Sequence, residues 1–256
     1  MSTILVVGDS YTYGQGCKDR IYYFDEKTKT HLGKPFEYPN DPSSEYCWAT
    51  LLNQQLPYYN VVNLASPGNS QFGIFKDTVD YINQHDDIAL VLFNGTFMDR
   101  FSLAGYKDPE MIVPWCPAWG DDPDKINNPL YPIAYNEYRN ARVQFYKYLT
   151  NDTIMYYQSL MSTLATYSFV TSKNIKFLWC NPETIHSDMN TKFKELEILK
   201  HLQYRHIARY DFSGRMDFEH NWNHYHFIDN HVNEAGHLMY FRQELFPLVK
   251  RTLNIV

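Results

Sequence analysis

The chain has 256 residues, of which 44% are hydrophobic and 20% charged, so it can bury the core of one large domain. A formal net charge of -6 and the lack of a basic stripe argue against a nucleic-acid-binding protein. The longest apolar run, Ile88 to Phe93, is too short to cross a bilayer, and no signal peptide follows Met1. We therefore expect a cytoplasmic protein that binds no membrane, although export by another route stays open.

Apolar strands alternate with amphipathic helices along the chain, which predicts a parallel sheet with helices on both faces. The predicted strands are residues 4–7, 60–64, 88–93 and 175–180. The predicted helices are residues 41–56, 71–84, 135–149, 153–172, 192–202 and 234–253. Asp41 with Pro42 is expected to open the first helix, and Asn233 is the expected N-cap of the last. The fold class is therefore α/β, a single-domain three-layer sandwich over residues 1–256.

Two segments interrupt this alternation. Residues 18–40 are rich in Tyr, Phe and Lys, and residues 102–132 hold six of the 13 prolines together with Trp115 and Trp119. Long irregular segments within a compact domain are usually functional, and ligands bind at the carboxyl edge of open parallel sheets. We predict that both insertions line the substrate cleft and that the two tryptophans contact substrate. The alternative is that they pack on the surface away from the substrate.

Two short motifs at opposite ends of the chain indicate a reaction. A Gly-Asp-Ser tripeptide ends at Ser10, directly after the first apolar strand, and an Asp-x-His-x-Asn pentapeptide runs from Asp229 to Asn233. Together they resemble the SGNH hydrolase family, also called GDSL-type esterases and lipases. The resemblance implies a flavodoxin-like fold with Ser10 as nucleophile and His231 as general base, and it implies no cofactor. A serine needs such a base because its hydroxyl is a poor nucleophile at neutral pH.

The acid of the expected catalytic triad departs from the family pattern. Most members place it three residues before the histidine, where this chain has Ile228, whereas Asp229 stands two residues before His231. This Asp-x-His spacing is similar to the branch of the superfamily that acetylates alginate. We expect Asp229 to orient His231. The alternatives are a backbone carbonyl or Glu234, which would leave a Ser-His dyad.

The resemblance also implies three donors for the developing oxyanion: the backbone N–H groups of Ser10 and Gly68, and an asparagine amide. The third family motif, Gly-x-Asn-Asp, is absent here, and Asn94 is the preferred candidate for the amide, with Thr96 as the alternative. Arg100 is a candidate for binding an anionic group of the substrate, although a structural salt bridge is the other interpretation of this residue.

Five histidines cluster near the C-terminus, at positions 220, 224, 226, 231 and 237, but their spacing matches no compact zinc motif, so we expect no metal site. The aromatic-rich, polar insertions favour an esterase that hydrolyses small acyl groups, such as acetyl, on a carbohydrate. A carbohydrate O-acetyltransferase with the same triad and a non-catalytic carbohydrate-binding or assembly module are the alternatives. The expected partner is a small-molecule or glycan ester, and the sequence does not determine the oligomeric state.

Overall fold

The computed structural model describes residues 1–20, 22–25, 30–33, 42–96, 100–104, 112–115, 144–149, 151–181, 210–211 and 231–255. In chain order their elements are β1 (Ser2–Val7), α1 (Ser10–Tyr13), β2 (Tyr22–Asp25), β3 (Thr30–Gly33), α2 (Trp48–Gln55), β4 (Tyr59–Asn63), α3 (Gln71–Gln84), β5 (Ile88–Asn94), β6 (Phe101–Ala104), β7 (Ile112–Trp115), α4 (Asp152–Ser172), β8 (Lys176–Asn181), β9 (Tyr210–Asp211), α5 (Glu234–Tyr240) and α6 (Phe246–Leu253). Two π-helical turns complete them, at Phe145–Leu149 and Phe241–Leu245.

The central sheet has five parallel strands in the order β4-β1-β5-β8-β9. When the strands are numbered along the chain, this is the order 2-1-3-4-5 of flavodoxin-like folds. In these folds the order in which strands are added to the sheet reverses beside the first strand. The carboxyl ends of β4, β1 and β5 therefore lie side by side. The loops that follow these three strands meet at this edge of the sheet.

Alternate residues of the central strands bury into two separate cores, as the two-residue period of a strand requires. On β1, Ile4 and Val6 face one core with α2, α5 and α6. Leu5 and Val7 face the other core with α3 and α4. Because both faces of the sheet are covered, its central strands are continuously apolar. The predicted α/β sandwich with a parallel sheet is confirmed.

The local predictions were right for most central elements and wrong at three places. The helix expected from Asp41 begins only at Trp48. Ser44 is held outside the helix because its N–H bonds the carbonyl of Tyr13 and its hydroxyl bonds Asp19. The last helix is interrupted by the π turn. The insertions expected to be irregular contain two antiparallel strand pairs, β2 with β3 and β6 with β7.

Other sequence predictions fall on parts of the chain that the structure does not describe. The helix predicted at residues 192–202 lies outside the described residues, as does most of the helix predicted at 135–149, whose last five residues form a π turn. Within the described residues, no helix combines the length and apolar character that crossing a membrane would require.

Candidate active site

Ser10 is the first residue of α1, a single helical turn that follows β1 after two residues. Asp9 caps this turn, since its Oδ1 accepts a hydrogen bond from the N–H of Tyr11 at 3.1 Å. Gly14 ends the turn with φ 87°, a left-handed conformation that glycine adopts without strain. The Ser10 side chain is thus placed at the carboxyl edge of the sheet, with only 2% of the residue exposed.

The imidazole of His231 reaches Ser10 across almost the whole sequence. Its Nε2 lies 3.0 Å from Ser10 Oγ, which is hydrogen-bond distance between a nucleophile and its base. The structure therefore brings together the two residues on which the predicted mechanism depends. Asp229, the predicted orienting acid, lies outside the described residues, and its role stays a prediction.

The segment that carries His231 is held by close packing against neighbouring residues. Gly16 has φ 95°, and a Cβ at this position would lie 2.6 Å from the Cβ of His231. The ring of Tyr11 packs against the imidazole with centroids 5.0 Å apart. Sequence reasoning missed Gly16; the only available signal was a second glycine close behind the nucleophile.

Helix α5 anchors the His231 segment from its other end. Asn233 is its N-cap and accepts a hydrogen bond from the N–H of Gly236 at 3.0 Å, as predicted. The carboxylate of Glu234 accepts the backbone N–H of Lys18 at 3.3 Å, and this contact ties α5 to the segment that follows α1. Glu234 thus joins the two halves of the site.

His237 is buried inside this junction. Its Nδ1 accepts the N–H of Trp48, the first residue of α2, at 3.3 Å, and so caps a helix whose own N-cap, Cys47, makes no side-chain cap bond. Burial, and to a smaller extent the nearby His231, lowers the pKa of His237 to about 3. His237 is therefore neutral at physiological pH and acts as an uncharged link between α5 and α2.

Gly68 lies in a tight turn next to the nucleophile. Ser66, Pro67, Gly68 and Asn69 form a β-turn that is closed by a bond from the N–H of Asn69 to the carbonyl of Ser66 at 3.2 Å, with φ 75° at Gly68. Proline followed by a positive-φ glycine is typical of a type II turn. The N–H of Ser66 also bonds the carbonyl of Gly8 at 3.2 Å, so the turn is attached beside Ser10.

Two backbone N–H groups at this edge of the sheet belong to Ser10 and to Gly68. The closing bond of the turn uses the N–H of Asn69 and leaves that of Gly68 unused. Within the described part of the chain, no acceptor takes the N–H of either Ser10 or Gly68. A pair of such donors beside a nucleophile is what acyl transfer requires.

The side chain of Asn94 lies beneath α1. It is 1% exposed, and its Nδ2 donates to the hydroxyl of Thr12 at 2.5 Å. Asn63, at the end of β4, donates to the carbonyl of Thr12 at 3.3 Å. The contact of Asn94 therefore supports the nucleophile helix, and its predicted role as an oxyanion donor stays a prediction.

Arg100 contacts an anion that belongs to the chain itself. Its Nη1 lies 2.8 Å from Asp9 Oδ2 and 2.7 Å from the hydroxyl of Thr96. This is the salt bridge that the sequence left open as the other interpretation of Arg100. Thr96, the alternative oxyanion donor, directs its own hydroxyl to Asp9 Oδ2 at 2.8 Å.

The substrate-binding role of the two predicted tryptophans stays a prediction. Trp115 is the last residue of β7 and pairs with Phe101 of β6. Trp119 lies outside the described residues, as do three of the five clustered histidines, at positions 220, 224 and 226. Among the side chains that the structure describes, no group of three or more potential ligands is arranged to hold a metal ion.

No protein-family model matches the sequence, and no curated protein is similar enough to match it. Solved structures do match. TesA is 12% identical with a TM-score of 0.53, covering 98% of this chain and 99% of that one. The esterase EstA from Pseudoalteromonas sp., in a structure inhibited by monoethylphosphonate, is 13% identical with a TM-score of 0.54, covering 99% of this chain and 100% of that one.

A family two carbohydrate esterase from Clostridium thermocellum has the same architecture. It is 11% identical with a TM-score of 0.53, and the match covers 100% of this chain and 65% of the esterase. At such identities the similarity establishes the fold alone. The chain shares its α/β architecture with TesA and with these two esterases, and this is the kind of fold that the two terminal motifs led us to expect.

Proposed function

We propose that this protein is a carboxylic ester hydrolase with Ser10 as its nucleophile and His231 as its general base. The observation that carries the proposal is the 3.0 Å contact between His231 Nε2 and Ser10 Oγ at the carboxyl edge of the sheet. The esterases that share the fold support the same reaction class. Asp229 is proposed to orient His231 through the other ring nitrogen, so that Nε2 is free to accept a proton.

The reaction proceeds through an acyl-enzyme. His231 takes the proton of Ser10 as Oγ attacks the ester carbonyl, and the tetrahedral oxyanion accepts hydrogen bonds from the N–H groups of Ser10 and Gly68. Each such donor typically contributes about 100-fold or more to the rate. His231 then protonates the departing alcohol, and a water activated by the same imidazole releases the acid and restores Ser10.

The proposed substrate is a small acyl ester, preferably an acetyl group on a carbohydrate. Two observations support this finer proposal. The insertions are polar and rich in aromatic residues, which suit the faces and hydroxyls of sugars, and the Clostridium thermocellum structure with this fold is a carbohydrate esterase. The Asp-x-His spacing at Asp229 favours a second candidate, transfer of the acyl group to a sugar hydroxyl instead of water.

The reaction class is tested by release of p-nitrophenol from its acetate and butyrate esters. We expect hydrolysis by the wild type and its loss in Ser10→Ala and His231→Ala. The matched controls are Ser168→Ala and His85→Ala, because both of these residues are exposed. Wild-type activity no greater than that of Ser10→Ala would overturn the esterase proposal.

Acetylated oligosaccharides test the substrate. Release of free acetate without an added acceptor supports hydrolysis, and the proposal predicts this result. Turnover that requires an unacetylated sugar acceptor would instead identify a transferase. Glycan binding without turnover, unchanged in Ser10→Ala, would identify a binding module.

A further inference from the structure

The carboxylate of Asp9 is a buried charge directly before the nucleophile. The residue is fully buried, and both of its oxygens are occupied. Oδ1 caps α1 through the N–H of Tyr11, and Oδ2 accepts bonds from the Thr96 hydroxyl and from the Arg100 guanidinium, each at 2.8 Å. One carboxylate therefore links the helix that carries Ser10 to the chain that leaves β5.

A charge in this position is costly unless it is paired and hydrogen-bonded. Arg100 supplies the pair, with 8% of its side chain exposed, and its Nη1 also donates to Thr96 at 2.7 Å. Asp9, Thr96 and Arg100 thus form a closed triangle of charge-assisted bonds, which are stronger than neutral ones. Two of its members, Thr96 and Arg100, come shortly after the end of β5.

The pairing also has an electrostatic consequence for catalysis. The proposed oxyanion receives a hydrogen bond from the N–H of Ser10, the residue next to Asp9. An uncompensated carboxylate so close would repel the negative charge that develops in the transition state. The guanidinium of Arg100 cancels that charge and leaves the capping oxygen of Asp9 in place.

We propose that Asp9, Thr96 and Arg100 are positioning residues for Ser10. Asp9 and Thr96 orient the α1 turn, and Arg100 neutralises the Asp9 carboxylate beside the oxyanion. This inference rests on the proposed function of Ser10. The described contacts of these residues are with one another and with the backbone of α1, so we expect them to affect the rate of the chemical step more than substrate binding.

The test of the charge role compares Arg100→Met with the Asp9→Asn, Arg100→Met double variant. We expect Arg100→Met to lower kcat about 100-fold, the loss that a small misplacement of catalytic groups typically causes. KM should change little. In the double variant the asparagine oxygen still caps α1 and the unpaired charge is gone. Its kcat should therefore recover about tenfold, and a double variant no better than Arg100→Met would overturn the charge role.

Because Arg100→Met leaves a buried charge unpaired, a milder variant tests positioning in a protein that folds. Thr96→Val removes one buried hydroxyl. Thr166→Val is its control, since Thr166 is also buried and its hydroxyl donates to the carbonyl of Ser162 within α4. We expect kcat to fall about tenfold in Thr96→Val, because one hydrogen bond to a charged group is lost. Thr96→Ser should restore kcat, and Thr166→Val should keep the wild-type kcat. Equal rates in the two valine variants would overturn the positioning role.

Labelling of Ser10 by an alkylphosphonate ester separates this inference from the proposed function. A wild-type protein that neither hydrolyses esters nor is labelled at Ser10 fails the proposed function itself. A wild-type protein that does both, with Thr96→Val labelled as fast as Thr166→Val, fails only the inference about Asp9, Thr96 and Arg100.

Discussion

Ser10 and His231 reach the same site by different physical means. The α1 turn that carries Ser10 is held by its hydrogen bonds with the side chains of Asp9, Asn94 and Asn63. The segment that carries His231 is held by close packing against Gly16 and by the α5 helix behind it. The nucleophile should therefore respond most to lost hydrogen bonds, and the base to added volume. Variants on each side of the site test this difference.

The largest effect is expected on the His231 side, from Gly16→Ala. The new Cβ would lie 2.6 Å from the Cβ of His231, and the φ of 95° is unfavourable for alanine. The imidazole must move away from Ser10, and we expect kcat for p-nitrophenyl acetate to fall about 100-fold.

The control for Gly16→Ala is the same substitution in a His231→Ala background. If Gly16 acts only by placing the imidazole, removing the imidazole first should leave Gly16→Ala with no further effect on kcat. A further loss in that background would show that Gly16 serves the nucleophile side as well.

The next effect concerns stability at acid pH through His237. Burial lowers the pKa of His237 from 6.5 to about 3, so between these values the unfolded chain binds a proton that the folded chain does not. The free energy of unfolding therefore falls as the pH is lowered from about 6.5 towards 3, by up to a few kcal/mol. His237→Asn, which keeps an acceptor for the N–H of Trp48 without this titration, should flatten that slope.

Thermal unfolding at several pH values between 7 and 4 measures the slope. His85→Ala is the control, because His85 is exposed and its removal should leave the slope unchanged. A slope equally steep in His237→Asn and the wild type would contradict the account of His237.

A smaller effect distinguishes the two roles of Asn94 on the Ser10 side. Asn94→Ala and Thr12→Val each remove the bond between Nδ2 and the Thr12 hydroxyl. If Asn94 only supports α1, both variants should lower kcat by about tenfold or less, the typical cost of one hydrogen bond. A loss of about 100-fold in Asn94→Ala alone would instead make this amide the third oxyanion donor.

The smallest effect is expected at the Gly68 turn, through Asp77 of α3. Asn69 donates to Asp77 Oδ2 at 3.0 Å, and burial raises the pKa of the Asp77 carboxyl. Because its folded pKa is raised, Asp77 costs stability once the pH rises above the unfolded value of 3.8. Asp77→Asn keeps an oxygen for Asn69 and should slightly raise the free energy of unfolding at pH 7. Chemical denaturation at pH 7 checks this, and a clear loss of stability would contradict it.

The sequence predicted the parts of the fold that periodicity controls. Helix α3 was predicted with its observed bounds, Gln71–Gln84, because its apolar residues recur at helical spacing and its ends coincide with polar residues. Helix α2 was placed too early because Pro42 after Asp41 is a local helix signal. The long-range bonds of Ser44 to Tyr13 and Asp19 overrule that signal, and no local pattern contains them.

The same division applies to the candidate site. Ser10 and His231 were predicted because their motifs resemble those of a known family and adjoin a strand and a helix that the sequence shows clearly. The partner of Arg100 was left open and Gly16 was missed, because each depends on a contact between distant segments: Arg100 with Asp9, and Gly16 with His231. The positions of two such residues in the sequence do not indicate how far apart they lie in the folded protein.

The central claim is that Ser10 is a nucleophile activated by His231, and phosphonylation tests it most directly. The wild-type protein would be treated with a p-nitrophenyl alkylphosphonate and mapped by peptide mass spectrometry. The account predicts a single phosphonyl group on the peptide that contains Ser10, none in Ser10→Ala, and labelling slowed at least about 100-fold in His231→Ala. Label on another residue, or a labelling rate that His231→Ala leaves unchanged, would contradict it.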